Sequence, residues 1–147
     1  MKFFVAGEPV AQPRPRAVNF GGKTRVYNPN TAKAWKTLVG SEALQEFENR
    51  GQTKMLGAVR VHCEFFLKRP KSHYGTGKNR DILKSSAPKF CLKKPDVDNL
   101  LKSVFDALTT HGIWRDDSQV VQCVVVKRWA DGCDNGVYLE IEEKENF

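Results

Sequence analysis

The 147-residue sequence predicts an α/β domain of the mixed α+β kind: a small mixed β-sheet packed with two main helices, in the order β-α-β-loop-α-β-β. Three observations carry this. Apolar residues alternate in short runs near the start, the middle and the end of the chain; two other stretches repeat them at helical spacing; and glycine-containing turn pairs separate the last two runs. A hydrophobic share of 40% with 10% aromatics fills a core and excludes wholesale disorder, and the length fits a single domain over 1–147.

Residues 2–6 form the first short strand. Ala32, Trp35, Leu38, Val39, Ala43 and Phe47 then follow helical spacing, with Asn30 or Thr31 as cap, Gly51 beyond the end and Gly40 as a weak spot inside. Val59, Val61, Cys63, Phe65 and Leu67 alternate with Arg60, His62, Glu64 and Phe66 in a longer strand. A second helix runs from about Asn99 to Thr110, with Leu101, Val104, Phe105 and Leu108 on one face and Gly112 placed to stop it. Val120 to Val126 is almost continuously apolar, as a strand buried on both faces is. Val137, Leu139 and Ile141 alternate with Tyr138, Glu140 and Glu142, and Asp131-Gly132 and Asn135-Gly136 supply the turn between these strands.

Cys63, Cys91, Cys123 and Cys133 match no paired zinc-ligand spacing and are expected as free thiols. His62, His73 and His111 join no metal pattern and read as structural or surface residues. No apolar run approaches the roughly 18 to 20 residues of a spanning helix. The start turns polar at Gly7-Glu8 before a signal-peptide core forms, so a cytoplasmic protein without membrane contact is expected.

The charge is uneven. Lys68 to Pro95 holds nine basic residues against one acid, Asp81, so these 28 residues carry +8 of a chain total of +7. With Pro70, Gly75, Gly77, Pro88 and Pro95 among them, the stretch 68–95 reads as a long basic loop, of the length that is functional or disordered.

The acids around the second helix are the other feature. Asp96 and Asp98 precede it, Lys102 follows Asp98 at i+4, and Asp116 and Asp117 come just before the apolar strand. Two readings stand here. Asp98 caps the helix, Asp96 favours its positive end and Lys102 makes an i,i+4 ion pair. Alternatively, three carboxylates converge, and because like charges repel, a divalent cation such as Mg²⁺ sits among them. Beside so much basic charge, the second arrangement points to phosphodiester chemistry, with Lys102 offsetting transition-state charge or orienting the water.

The run Asp96-Val97-Asp98-Asn99-Leu100-Leu101-Lys102, then Asp106-Ala107-Leu108, then Gly112-Ile113-Trp114-Arg115-Asp116-Asp117-Ser118-Gln119-Val120, resembles the RusA family of phage- and prophage-associated Holliday junction resolvases. Gly7-Glu8-Pro9-Val10-Ala11-Gln12-Pro13-Arg14-Pro15-Arg16 is similar to the Pro- and Arg-rich start of one family branch. The resemblance implies a homodimeric, Mg²⁺-dependent endodeoxyribonuclease, with Mn²⁺ as a substitute, that nicks opposing strands of a four-way DNA junction in recombination and repair. It implies metal-binding, catalytic acids at Asp96, Asp98 and Asp117 and a catalytic lysine at Lys102, in a bacterial cell and on a phage or prophage gene. Adjacent strand residues face opposite ways, so one of Asp116 and Asp117 faces the metal, and the family pattern favours Asp117.

A two-fold dimer suits a symmetrically cut junction. Arg14, Arg16, Lys71, Lys93 and Lys94 are the candidate DNA phosphate contacts. Tyr74 and Phe90 either stack on an unpaired base or anchor the loop. Phe66 and an edge strand at 137–142 are the candidate dimer surfaces. The competing readings are a non-catalytic DNA-binding module and a nuclease for other branched nucleic acids.

Overall fold

The computed structural model describes residues 1–27, 29–132 and 134–145. Its elements are β1 (Lys2–Ala6), β2 (Arg16–Phe20), β3 (Lys23–Tyr27), α1 (Lys33–Asn49), β4 (Ala58–Leu67), α2 (Val97–Thr110), β5 (Val120–Trp129) and β6 (Gly136–Lys144). The main sheet has the order β1-β6-β4-β5, and β2 and β3 form a separate two-stranded ribbon. β6 is antiparallel to both neighbours while β4 and β5 run parallel, so the sheet is mixed and the architecture is α+β as expected.

Alternation places the core on one face. Phe3 and Val5 of β1, Val59, Val61, Cys63 and Phe65 of β4, and Val137, Leu139 and Ile141 of β6 are buried against Trp35, Val39, Ala43 and Phe47 of α1 and Leu100, Val104, Ala107 and Leu108 of α2. The opposite face is charged and paired: Lys2 meets Glu140 at 3.2 Å, Arg60 meets Glu142, and Arg128 meets Glu64 at 3.2 Å. α1 and α2 lie so close that a Cβ on Gly40 would fall 2.0 Å from Nδ1 of His111, whose ring hydrogen-bonds the Ala107 carbonyl at 2.9 Å. The glycine is therefore the space the imidazole needs.

Several expectations are corrected. β5 is an edge strand, not one buried on both faces: the parallel crossover sets it outside β4, leaving Val121 60% and Val124 46% exposed. β6 lies between β1 and β4, so 137–142 is no edge and offers no free ladder for a dimer. Phe66 is half-buried, with the Phe4 ring edge-on at 6.1 Å and the Arg128 guanidinium over it at 5.6 Å. The cap of α1 is Ala32 with no side-chain hydrogen bond, in place of Asn30 or Thr31. α2 begins at Val97 with Asp96 at the cap, again without a side-chain bond, so Asp98 does not cap it. The ribbon was not expected, because no core-facing alternation announces it. Cys63, Cys91 and Cys123 are free; the expectation for Cys133 lies outside the described residues.

The basic loop is irregular as expected, with two short 3₁₀ turns at Lys71–His73 and Gly77–Asn79, but it is pinned by specific contacts. Arg69, only 7% exposed, donates to the carbonyls of Ala130 (2.8 Å) and Pro88 (2.7 Å) and approaches His73 Nδ1 at 3.2 Å. Tyr74 bridges Leu83 within the loop, and Phe90 bridges Arg128 on β5, so their backbones anchor the loop. His73 packs edge-on against Trp129, with ring centroids 5.2 Å apart. Desolvation there, followed by the Arg69 charge, holds His73 below its ordinary pKa. A depressed histidine contributes stability in full above the unfolded value of about 6.5 and loses it as pH falls. Limited proteolysis within 70–90 should therefore accelerate between pH 7 and pH 5, and a rate that stays flat after correction for protease activity would remove His73 from the clasp.

Candidate active site

Lys102 projects from the second turn of α2, and its Nζ lies 3.2 Å from Asp117 Oδ2 and 3.2 Å from Asp106 Oδ1. Asp106 was not singled out from sequence, although the spacing Asp98-Lys102-Asp106 repeats i,i+4 along one flank and signals it. The hydrogen bonds to Asp117 and then Asp106 push the Lys102 ammonium above its ordinary pKa. It therefore carries its positive charge at neutral pH.

The position of Asp117 is set by a chain of anchors. Gly112 takes φ +75° to end α2. Trp114 then enters the core, fully buried, donating from Nε1 to Thr109 Oγ1 at 2.6 Å and meeting the Phe105 ring edge-on at 5.3 Å. A 3₁₀ turn, Asp117–Gln119, follows with Asp116 at its cap. Asp116 accepts from the Ser118 N–H at 2.8 Å, which holds its carboxyl below the usual range, and so it serves its own turn. Asp117 is the one that meets Lys102, through this turn geometry rather than strand alternation.

Gln119 locks the turn in place. Its Oε1 accepts from the N–H groups of Arg115 (2.7 Å) and Asp116 (3.0 Å), and its Nε2 donates to the carbonyls of Met55 (3.2 Å) and Gly57 (2.9 Å). The same corner is held from the other side by Glu143, which accepts from the N–H groups of Leu56 (2.7 Å) and Gly57.

Asp96 and Asp98 are exposed at the start of α2 and, among the described residues, neither side chain takes an ion pair or hydrogen bond. The three expected acids are not drawn to one point: among the described residues no three His, Cys, Asp or Glu side chains form a metal-holding group. Like charges keep apart, and the Lys102 ammonium compensates Asp117.

The end of α2 that carries Asp96 borders a groove of about 650 Å³, shared with Arg14, Lys94 and Asn99. The N-terminal segment is pinned there, since Gln12 N donates to Asn99 O at 2.8 Å and Ser103 Oγ to Val10 O at 2.7 Å. Lys127 donates to the carbonyls of Lys93 (2.6 Å) and Pro95 (2.9 Å), a holding role that nothing in the sequence signalled. Of the candidate phosphate contacts, Arg14 and Lys94 thus stand beside Asp96, with Lys93 adjacent and Arg16 opening the ribbon. Lys71 is elsewhere. It lines a separate groove of about 910 Å³, with Lys68, Tyr74, Arg80 and Asn135, beyond the ends of β4 and β5 opposite to Asp117.

A family model described as Endodeoxyribonuclease RusA matches residues 6–142. The chain belongs to the RusA endodeoxyribonuclease family. It is 40% identical over 134 residues to the uncharacterised protein YqaN of Bacillus subtilis (strain 168), covering 89% of each chain. It is also 57% identical over 35 residues to the crossover junction endodeoxyribonuclease RusA of Escherichia coli (strain K12), and equally to that of Enterobacteria phage 82, covering 24% of this chain and 29% of theirs. The chain is thus related to YqaN along most of its length and to the two named RusA enzymes over a short, well-matched stretch.

Replacing Gln119 by Leu should leave the carbonyls and N–H groups at this corner without their partners. A loss of about 1–3 kcal/mol is expected, read as a Tm lower by about 2–4 °C per kcal/mol. An unchanged Tm would mean that the turn stands without the amide.

Proposed function

We propose that this chain is a divalent-metal-dependent endodeoxyribonuclease that resolves four-way DNA junctions by paired symmetric nicks, in recombination and repair. The observation that carries the reading is the Lys102 ammonium held between Asp106 and Asp117, on the flank of a helix whose cap residue, Asp96, borders a groove with Arg14 and Lys94. Family membership supports the endodeoxyribonuclease part. The similarity to crossover junction enzymes supports the junction as substrate.

The donor set suits a hard cation, because every candidate ligand is a carboxylate at a solvent-accessible position. Asp96, Asp98 and Asp117, which stand apart in this structure, would have to draw together to hold Mg²⁺, with Mn²⁺ as a substitute. When bound, such an ion polarises the scissile phosphate and lowers the pKa of the attacking water. Lys102 keeps its proton and offsets the negative charge that builds on the phosphate oxygens. Asp106 and Asp117 orient its ammonium; Arg14 and Lys94 take DNA phosphates in the groove, with Lys93 beside them. Residues 1–147 act as one unit and work as a homodimer, since two copies related by a two-fold axis match two symmetric cuts. A DNA substrate in a bacterial cell makes the cytoplasm its site of action, on a gene of phage or prophage origin. No described helix is long and apolar enough to cross a membrane.

The deciding assay is cleavage of an end-labelled four-way junction and a linear duplex of the same sequence, each with Mg²⁺ and with EDTA. Paired symmetric nicks in the junction with Mg²⁺ alone are expected; tight binding without cleavage in Mg²⁺ or Mn²⁺ would make the protein a binding module. Asp98→Asn should abolish nicking while retaining junction affinity, and wild-type rates in that variant would displace the metal site. Lys102→Met should slow cleavage by about 10²–10³-fold, while Lys102→Arg, which keeps the charge, should recover part of it. Equal loss in both variants would argue against a purely electrostatic lysine.

A further inference from the structure

The ribbon of β2 and β3 touches none of the main core: all ten of its residues are exposed, and its ladder is formed by the two strands alone. A lone two-stranded ribbon is marginal in water, so a surface of this kind is built to be covered. The pairing register identifies the face that is covered. Arg16 stands opposite Tyr27, Val18 opposite Arg25 and Phe20 opposite Lys23, whereas Ala17 stands opposite Val26 and Asn19 opposite Thr24. Paired residues share a face and successive pairs alternate. One face of the ribbon therefore carries Arg16, Lys23, Arg25, Phe20 and Tyr27, and the other carries no charge at all.

Each rung of that face sets one cation beside one apolar or aromatic side chain. Phe20 is 79% exposed at the tip, where Gly21 and Gly22 turn the chain with φ of +58° and +78°, and Tyr27 is 47% exposed at the base. Among the described residues, Arg16, Lys23 and Arg25 enter no ion pair, in contrast to the cations on the outer sheet face. No acid occurs between Glu8 and Glu42, a stretch that also holds Arg14, Lys33 and Lys36. The ribbon starts two residues after Arg14, which lines the groove beside Asp96.

We propose that this face of the ribbon grips the branched DNA at its branch point, with Arg16, Lys23 and Arg25 on phosphates and Phe20 and Tyr27 stacked on bases that the branch leaves unpaired. The assignment rests on the nuclease reading for its substrate and adds to it the element that recognises branching. Cations alone bind any duplex, and stacking needs an open base face, which an intact duplex keeps closed. Strands of five residues extend about 17 Å at roughly 3.3 Å per residue, enough to carry Phe20 well away from the acids of α2.

The test is fluorescence anisotropy of the full chain in EDTA, with a four-way junction and a linear duplex of the same sequence across a salt series. Phe20→Ala with Tyr27→Ala should weaken junction binding at least tenfold and leave duplex binding within about twofold. Arg16→Gln, Lys23→Gln and Arg25→Gln together should weaken both DNAs and flatten the log–log salt slope by about 2–3, near 0.9 per phosphate contact. A 2-aminopurine at the branch should be quenched by the wild type and less so by Phe20→Ala. Because these side chains are exposed, thermal melts of all variants should match the wild type. Unchanged junction binding in both sets of variants, or equal weakening of junction and duplex by the aromatic pair, overturns the proposal. If the wild type fails to cut the junction with Mg²⁺ while the aromatic variant still loses junction binding, the ribbon assignment stands and the nuclease reading falls. If cutting proceeds and the ribbon variants bind normally, the reverse holds.

Discussion

One side-chain amide and one carboxylate join three parts of the chain at the place where the site is made. Gln119 satisfies two N–H groups of the turn that carries Asp117 and two carbonyls of the corner leading into β4. Glu143 of β6 grips the N–H groups of that corner. The end of β6, the start of β4 and the start of β5 are thereby held as one piece, and the carboxylate that meets Lys102 inherits that rigidity. A salt bridge at half-exposed side chains contributes little on its own. Its geometry here is defined because both partners are mounted on elements that are fixed elsewhere, Lys102 on a helix packed by Leu100, Val104 and Leu108, and Asp117 on the amide-locked turn.

Electrostatics divide the surface into two kinds of region. On the open face of the sheet, opposite charges neutralise one another across neighbouring strands. At the start of α2, Arg14 and Lys94 stand without such partners among the described residues beside Asp96, which also lacks one, and along the ribbon the cations stand unpaired in an acid-free stretch. Arg69 shows that a large basic count does not by itself make a binding surface: that guanidinium is buried and committed to the carbonyls that close its own loop. The separation between Lys71 and Asp117, at opposite ends of the sheet, likewise sets the first part of the basic loop apart from the acids, while its last part, at Lys94, stands beside Asp96.

Wherever a segment faces the core, its structure could be read from the sequence, because burial imposes period. β1, β4, β6 and both helices follow from their alternation or helical spacing. β5 misled because a continuous apolar run describes a doubly buried strand and an apolar edge equally well, and only the order of strands tells them apart. The ribbon escaped because nothing packs beneath it to impose a pattern. At the site, the spacing of Asp98, Lys102 and Asp117 pointed to a cluster; the structure pairs Lys102 with Asp117 and leaves Asp98 apart. The part played by Asp116, by contrast, depends on a local turn whose hydrogen bonds no periodicity encodes. Asp106 belonged to a visible i,i+4 series but was overshadowed by the acids at the helix start.

The contact between Gly40 and His111 makes two distant positions a single unit of change. An imidazole occupies the volume that any side chain at position 40 would need, so a larger residue there is compatible with this helix spacing only if the ring at 111 moves aside or is replaced. Substitutions that each harm the fold alone are then tolerable together, which is the non-additivity expected of residues in direct contact. A side chain added at 40 and a smaller residue at 111 should therefore cost less together than the sum of their separate effects.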